Sequence, residues 1–479
     1  MSGTLQIKRY PTLIIFVFFV GSSLQLSAQQ TLTLHDCLAM ALRSNKDIDA
    51  AHHTHLKYEN ERKALKANFF PDISAMAGDY YSTMNDHLSI DIASPIGQTI
   101  GEQLHNRLPQ LITPYWQRII SNRITNRLAP FNPTINYKIG NVWFANLNLT
   151  QPIYMGGKIT AGYKMGKLGA QMAALGEELS REQAIVSVHE AYMLLSKAKE
   201  LKTVALAYDS LLIKLTNDVA SAKRNGMVSN NEVMKVQVKK SEAELKVTQA
   251  SNGIRLARMN LCQVVGLPLD SPIDIVNYEN EDVEFFVDHS VTVDRRTEAQ
   301  LLDMQTRLAE QKVKLEHSAM LPQLGLIAGA AMADGIHVAG EKLLNHNLTF
   351  NACVMLKVPI FHAGETRHKV LAAKEDLASQ RLQQESLNEK MNLELQQKAN
   401  EVEEADMELN MRRHSLEQCA ENLRMSRKAY SVGFETLSDL LTAQLLWQQA
   451  YADLVEAKYQ QSIKIVKWKK AAGRLHLSY

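Results

Sequence analysis

The stretch QPIYMGGK at 151–158 returns as VPIFHAGE at 358–365, and the residues that follow each copy keep step. Pro152 recurs as Pro359, Gly157 as Gly364, Gly226 as Gly433 and Gly266 as Gly473, every pair 207 positions apart. Gln151 to Leu267 therefore repeats without net insertion or deletion. An earlier match, PDISAMAG at 71–78 with PQLGLIAG at 322–329, has an offset of 251. The chain is two tandem copies of one unit, a pattern to settle before any local reading. Between the paired prolines, copy one carries 81 residues and copy two 37, so one connection, about 83–137, is enlarged.

Bulk composition narrows the function. Over 479 residues, 53 Lys and Arg nearly balance 51 Asp and Glu, which gives no charge case for nucleic acid. Lys8 and Arg9 precede the apolar run Leu13 to Val20, and a small-residue stretch closes at Ser27-Ala28. Residues 1–28 read as a secretory signal peptide. Cys37 follows Leu34-His35-Asp36, which is not a lipoprotein cleavage motif. Cys37, Cys262, Cys353 and Cys419 show neither CxxC nor zinc spacing, and are expected as free thiols. Past the signal, no apolar run reaches the roughly 18 residues of a transmembrane helix. If the exported chain spans a membrane, strands must do it.

Candidate strands follow. Leu348, Phe350, Ala352, Val354, Leu356 and Val358 alternate with Thr349, Asn351, Cys353, Met355 and Lys357. In copy one, Trp143, Ala145, Leu147 and Leu149 alternate with Phe144, Asn146, Asn148 and Thr150. A period of two over about 9–11 residues suits a membrane-spanning strand. With partners near the two earlier prolines, the expected strands are about 71–83, 141–154, 322–333 and 347–361. Four strands cannot close a barrel, and open edges cannot be left in lipid. Oligomerisation follows from the backbone's need for hydrogen bonds.

Between the strands and Gly226, residues 158–224 contain no proline; at about 1.5 Å each they make a helix of about 100 Å. A return helix ends at Gly266, giving a hairpin at 158–266; copy two repeats it at 365–473. The return helices share a heptad register. Val233, Val236, Lys240, Ala243, Val247, Ala250, Ile254, Ala257 and Leu261 form the first seam, and Leu440, Ala443, Trp447, Ala450, Leu454 and Ala457 the second. Spacings alternating between three and four residues predict coiled-coil packing.

With Leu32-Thr33-Leu34-His35-Asp36, Phe70-Pro71, the two repeated strand ends and the Tyr430…Gly433…Asp439-Leu440-Leu441 hairpin, the chain resembles the TolC family of outer-membrane efflux ducts. The resemblance covers nearly the whole mature chain. It implies a mainly α fold with membrane β: a homotrimer sharing a 12-stranded β-barrel, four strands from each chain, continued by coiled-coil helices as a periplasmic α-barrel. It divides the chain into a first repeat at 29–267, an equatorial linker at 268–297 and a second repeat at 298–479. It further implies an outer-membrane protein reaching into the periplasm and embedded in outer-membrane lipid. Its expected partners are a periplasmic adaptor (membrane fusion protein) and an inner-membrane pump of the resistance-nodulation-division or ABC type.

By position, the resemblance assigns the adaptor-docking tips to Arg224, Asn225, Gly226, Met227 and Val228, and to Val432, Gly433, Phe434 and Glu435. A periplasmic gate would involve Asp439, Thr442, Glu232 and Tyr430. Thr442 and Glu435 depart from the family pattern, which has a second aspartate and an arginine there. Glu435 facing Glu232 cannot form an ion pair. The enlarged connection, with Arg107, Arg118, Arg123, Arg127, Tyr115, Trp116 and Phe131, is basic and aromatic and is expected to face outward.

No nucleophile–base pair, phosphate loop or carboxylate dyad emerges, so neither an enzyme nor a cofactor is expected. His52, His53 and His55 raise metal binding, and 52 and 55 share a helical face, but no third ligand is apparent in the sequence, so a solvated polar face without a metal is expected. Three functions remain: a passive exit duct for small molecules, a type I protein-secretion duct, or a periplasmic coiled-coil scaffold or adhesin. The matched strand pairs argue against the last.

Overall fold

The computed structural model describes residues 30–89, 134–276, 285–338, 341–342 and 347–475, with isolated positions 103, 106, 115 and 119. The expected signal peptide lies outside the described residues, as does most of the enlarged connection, including Arg107, Trp116, Arg118, Arg123, Arg127 and Phe131.

The chain enters through a short strand, β1 (Gln30–Leu32), then α1 (Leu34–Ser44) and α2 (Lys46–Ala67). A capping box starts α1: Asp36 N donates to Thr33 Oγ1 at 3.1 Å, and Thr33 N donates to the Asp36 carboxylate at 3.0 Å. Asn45 ends α1 and caps α2, accepting from Asp47 N at 2.8 Å. Its Nδ2 also donates to the Val264 carbonyl at 2.9 Å, tying the entry to the far end of the first repeat.

In the first repeat, β2 (Asp72–Ser89) and β3 (Thr134–Met155) lead into α3 (Lys158–Arg224) and α4 (Asn230–Val265). A linker strand, β4 (Ile273–Ile275), pairs in parallel with β1, placing Gln30 opposite Ile273. After a 3₁₀ turn at Val293–Arg295 comes α5 (Thr297–Ser318). The second repeat has β5 (Gln323–Val338), the two-residue β6 (Glu341–Lys342), β7 (Thr349–Lys357), α6 (Glu365–Ser431) and α7 (Leu437–Ala471).

All pairings in the main sheet are antiparallel, with β3 beside β2, β5 beside β3, and β7 beside β5. Several strand limits differ from those read in the sequence, β5 among them, which runs on to Val338 rather than 333. Past a register shift between Tyr81 and Met84, β2 and β3 stay paired as far as Ser89 opposite Thr134, so part of the enlarged connection is a longer hairpin. At the other limit, β7 stops at Lys357, short of 361, where Pro359 has no N–H for a ladder. Apolar side chains stand out from the strands: Phe350 is 74% exposed and Ile73 62%. Among the described residues, no helix is long and apolar enough to cross a membrane.

Helices α3 and α6 each run 67 residues, about 100 Å at 1.5 Å per residue. Their return partners bury the heptad seams. In α4, Val236, Ala243, Ala257 and Leu261 are buried; in α7, Leu440, Ala443, Ala450, Leu454 and Ala457 are buried. Where the second seam turns polar, Gln461 donates to Asp406 Oδ1 at 2.9 Å, so the polar position is satisfied across α6 and α7. The equatorial core gathers Cys37, Leu38, Val188, Leu195, Leu261 and Val265 beneath the β1–β4 pair. Tyr192 closes it by donating to the Val276 carbonyl at 2.7 Å. All four cysteines are free thiols.

His189 carries a pH dependence. Its Nε2 lies 2.8 Å from Ser462 Oγ between α3 and α7, and its Nδ1 is buried without a hydrogen bond. Burial, reinforced by the Lys469 charge, pushes the imidazole from its ordinary 6.5 to about 4. The unfolded chain then binds a proton that the folded chain refuses between those values. Stability is therefore intact above 6.5 and falls as pH drops toward 4, by about 2 kcal/mol per chain at pH 5. In urea titrations, His189→Asn should flatten this slope; an unchanged slope would remove His189 as its source.

Candidate functional site at the helical hairpin tips

Both helical hairpins reverse by the same backbone device. At the first tip, Gly226 N donates to Lys223 O and Met227 N to Ala222 O, each at 2.9 Å. At the second, Gly433 N donates to Tyr430 O at 3.1 Å and Phe434 N to Ala429 O at 2.9 Å. These are paired Schellman closures, with the glycines at φ 71° and 83°. A Cβ would meet nothing within 4 Å at either glycine, so the requirement is for the left-handed backbone rather than for space.

The return helices are then capped in register. Ser229 Oγ accepts from Glu232 N at 3.4 Å. At the equivalent place, Asp439 N donates to Thr436 Oγ1 at 3.3 Å, and the Asp439 carboxylate accepts from Thr436 N at 3.1 Å and Oγ1 at 2.6 Å. Arg224 and Asn225 end α3, and Val228 lies between the turn and the Ser229 cap. Large apolar side chains crown both tips: Met227 is 77% exposed, Val432 66% and Phe434 87%. Such an exposed cluster suits burial against another protein.

The residues assigned to a gate are distributed as follows. Asp439 sits on the exposed first turn of α7 as the acid of a capping box; its hydrogen bonds from Thr436 hold the carboxyl below the usual range. Thr442 donates back to the Ser438 carbonyl at 2.8 Å. Glu435 accepts a hydrogen bond from Ser426 of its own hairpin. Tyr430 is half-buried against the core of Tyr208, Leu212, Val236 and Leu440. Burial raises its phenol, and the nearby carboxylates of Glu232 and Asp218 raise it further.

One cluster was hidden from the sequence. Glu177 of α3 meets His52 and His55 of α2 at separations of 125 and 122 residues, and supplies the third donor that the histidines lacked. Only the packing of α2 on α3 reveals it.

The comparisons with known proteins agree with this architecture. The CmeC outer membrane channel of Campylobacter jejuni matches with a TM-score of 0.71 at 17% identity, over 92% of this chain and 86% of that one. VceC, an outer membrane protein of Vibrio cholerae, gives 0.70 at 14% identity, over 92% and 96%. The open-state MtrE outer membrane channel of Neisseria gonorrhoeae gives 0.66 at 15% identity, over 92% and 89%. No curated protein sequence matches the chain. The fold is that of the TolC-like outer-membrane channels. Residues 296–474 match the model of the outer membrane efflux protein family.

Replacing either tip glycine by alanine places a Cβ at positive φ, which costs about 1–2 kcal/mol locally. Gly226→Ala and Gly433→Ala should each speed amide exchange in the adjoining helical turns while α1 and the equatorial core keep their protection. Unchanged exchange would show that the turns tolerate the side chain.

Proposed function

We propose that three copies of this chain close a shared 12-stranded barrel in the outer membrane, and that their helices enclose a duct across the periplasm. The observation that carries the reading is the join itself: an antiparallel sheet with four long strands feeds into helices about 100 Å long. The strands need further copies to pair their edges, and the helices suit passage across the periplasm. Small molecules handed over by an inner-membrane pump, of the resistance-nodulation-division or ABC type, would leave passively through this duct. The energy for export comes from the pump. The Schellman tips are the surface offered to a periplasmic adaptor, with Met227, Val432 and Phe434 as its apolar contacts.

Fractionation should recover the protein in the outer membrane as a trimer that dissociates on heating. A soluble periplasmic monomer would overturn the shared barrel. In a Cys353→Ser background, cysteines placed at Met227 and Phe434 should crosslink to the cognate adaptor. Capture at Phe350 on β7, with none at the tips, would reverse the assigned polarity.

Asp439 is the proposed gate acid as well as a helix cap, and one substitution separates the roles. Three carboxylates around a wet constriction attract cations and slow their passage. Asp439→Asn leaves an amide oxygen for Thr436 but removes the charge. It should relieve block of single-channel current by divalent cations while preserving the trimer. Lower thermal stability with unchanged conductance would leave only the cap, whose loss is worth about 1 kcal/mol.

A further inference from the structure

Helix α2 lies antiparallel along the first third of α3. Leu65 meets Gly166, where a Cβ would stand 2.4 Å from its Cδ1, and Tyr58 meets Gly169. One step further along this seam, His52 and His55, three residues apart on one face of α2, meet Glu177. His52 Nδ1 lies 3.3 Å from Glu177 Oε1, and His55 Nδ1 lies 2.9 Å from Oε2. The three candidate ligand atoms all fall within 4.8 Å of one another. The Glu177 side chain is only 11% exposed, His55 28% and His52 51%, so the site has a closed floor and one open side. One competitor is present: Arg181 donates to Glu177 Oε1 at 2.8 Å.

We propose that His52, His55 and Glu177 form a binding site for a divalent transition metal of the zinc class, fastening α2 to α3. Two imidazole nitrogens and one carboxylate oxygen are a donor set that zinc accepts, with water at the fourth position. Ligand atoms about 2.0–2.1 Å from a tetrahedral ion stand about 3.3 Å from one another. The two histidine–carboxylate contacts already have that spacing. Turning the half-exposed His52 ring shortens any longer separation. Each imidazole binds through an unprotonated Nδ1, with its proton carried on Nε2. The carboxylate holds both rings toward one point, so little order remains to be imposed when the ion arrives. Arg181 shares one carboxylate oxygen and leaves Oε2 facing His55, so it weakens the site without filling it. An ion here would crosslink the N-terminal helix to the long helix and stabilise the folded form by mass action.

Untagged protein, purified in detergent and stripped with chelator, would be titrated with zinc chloride by calorimetry and checked by elemental analysis after dialysis. Wild type should take up one tightly bound zinc per chain beyond that held by the His52→Gln/His55→Gln variant. In these variants a side-chain amide replaces each ligand nitrogen but can still hydrogen-bond Glu177, which protects the fold; circular dichroism verifies this. Glu177→Gln should weaken zinc binding at least tenfold, and Arg181→Ala should tighten it severalfold by freeing Oε1. Zinc should raise the thermal midpoint of wild type and leave the double variant unmoved. Equal uptake by wild type and a folded double variant would overturn the site. So would an Arg181→Ala variant that binds zinc no better than the Glu177→Gln variant.

Discussion

An N–H or C=O group left unpaired in hydrocarbon costs several kcal/mol, and the outer edges of β2 and β7 present rows of such groups. Within the chain, β3 and β5 have partners on both sides, whereas among the described residues the sheet ends at β2 and β7. The remaining architecture follows from that inequality. In the proposed assembly, further copies would continue the sheet, and closure into a ring would set the helices around a common axis. A helix that starts one residue after Gly157 or Gly364 inherits its position from the strand before it.

Much of this could be read in the sequence because it depends on local rules. Proline-free blocks became helices of the expected length, and the three–four seams of α4 and α7 are buried or half-buried. Strand ends were less legible. Alternation marks a strand, but how far it extends depends on what lies opposite, and the pairing of Met84 through Ser89 with Ile139 through Thr134 is a property of two segments together. Glu177 was invisible for the same reason: its histidine partners are more than a hundred residues away in sequence. The Asp439 cap is a different case. The Thr436-Leu437-Ser438-Asp439 spacing is a capping-box signature, so the cap is legible in the sequence independently of any gate role.

The tips separate what duplication preserves from what it frees. Backbone geometry is kept: both turns use the same two hydrogen bonds, with glycine at the left-handed position. Side chains are not kept, since Met227-Val228 in one copy answers Phe434-Glu435 in the other. The left-handed residue is fixed by the steric limits of the chain. The crown is under no such limit, so two equivalent turns present different faces.

The same asymmetry runs along the long helices. Helix α3 contacts α2, α4, α5 and α7, and many of its side chains are buried, including Val188, Leu195, Leu212 and Val219. Its counterpart α6 packs mainly on α5 and α7, and leaves Leu382 67% exposed, Leu393 70% and Met407 65%. One ancestral helix has thus become an internal strut in copy one and a surface in copy two. In a ring of copies, an exposed apolar stripe on α6 has a natural counterpart in the adjoining subunit, where burial at roughly 25 cal/mol per Å² would reinforce the closure that the strand edges require. The need to pair backbone in the membrane and the need to cover apolar side chains below it then favour the same association, which is why a short sheet can anchor helices of such length.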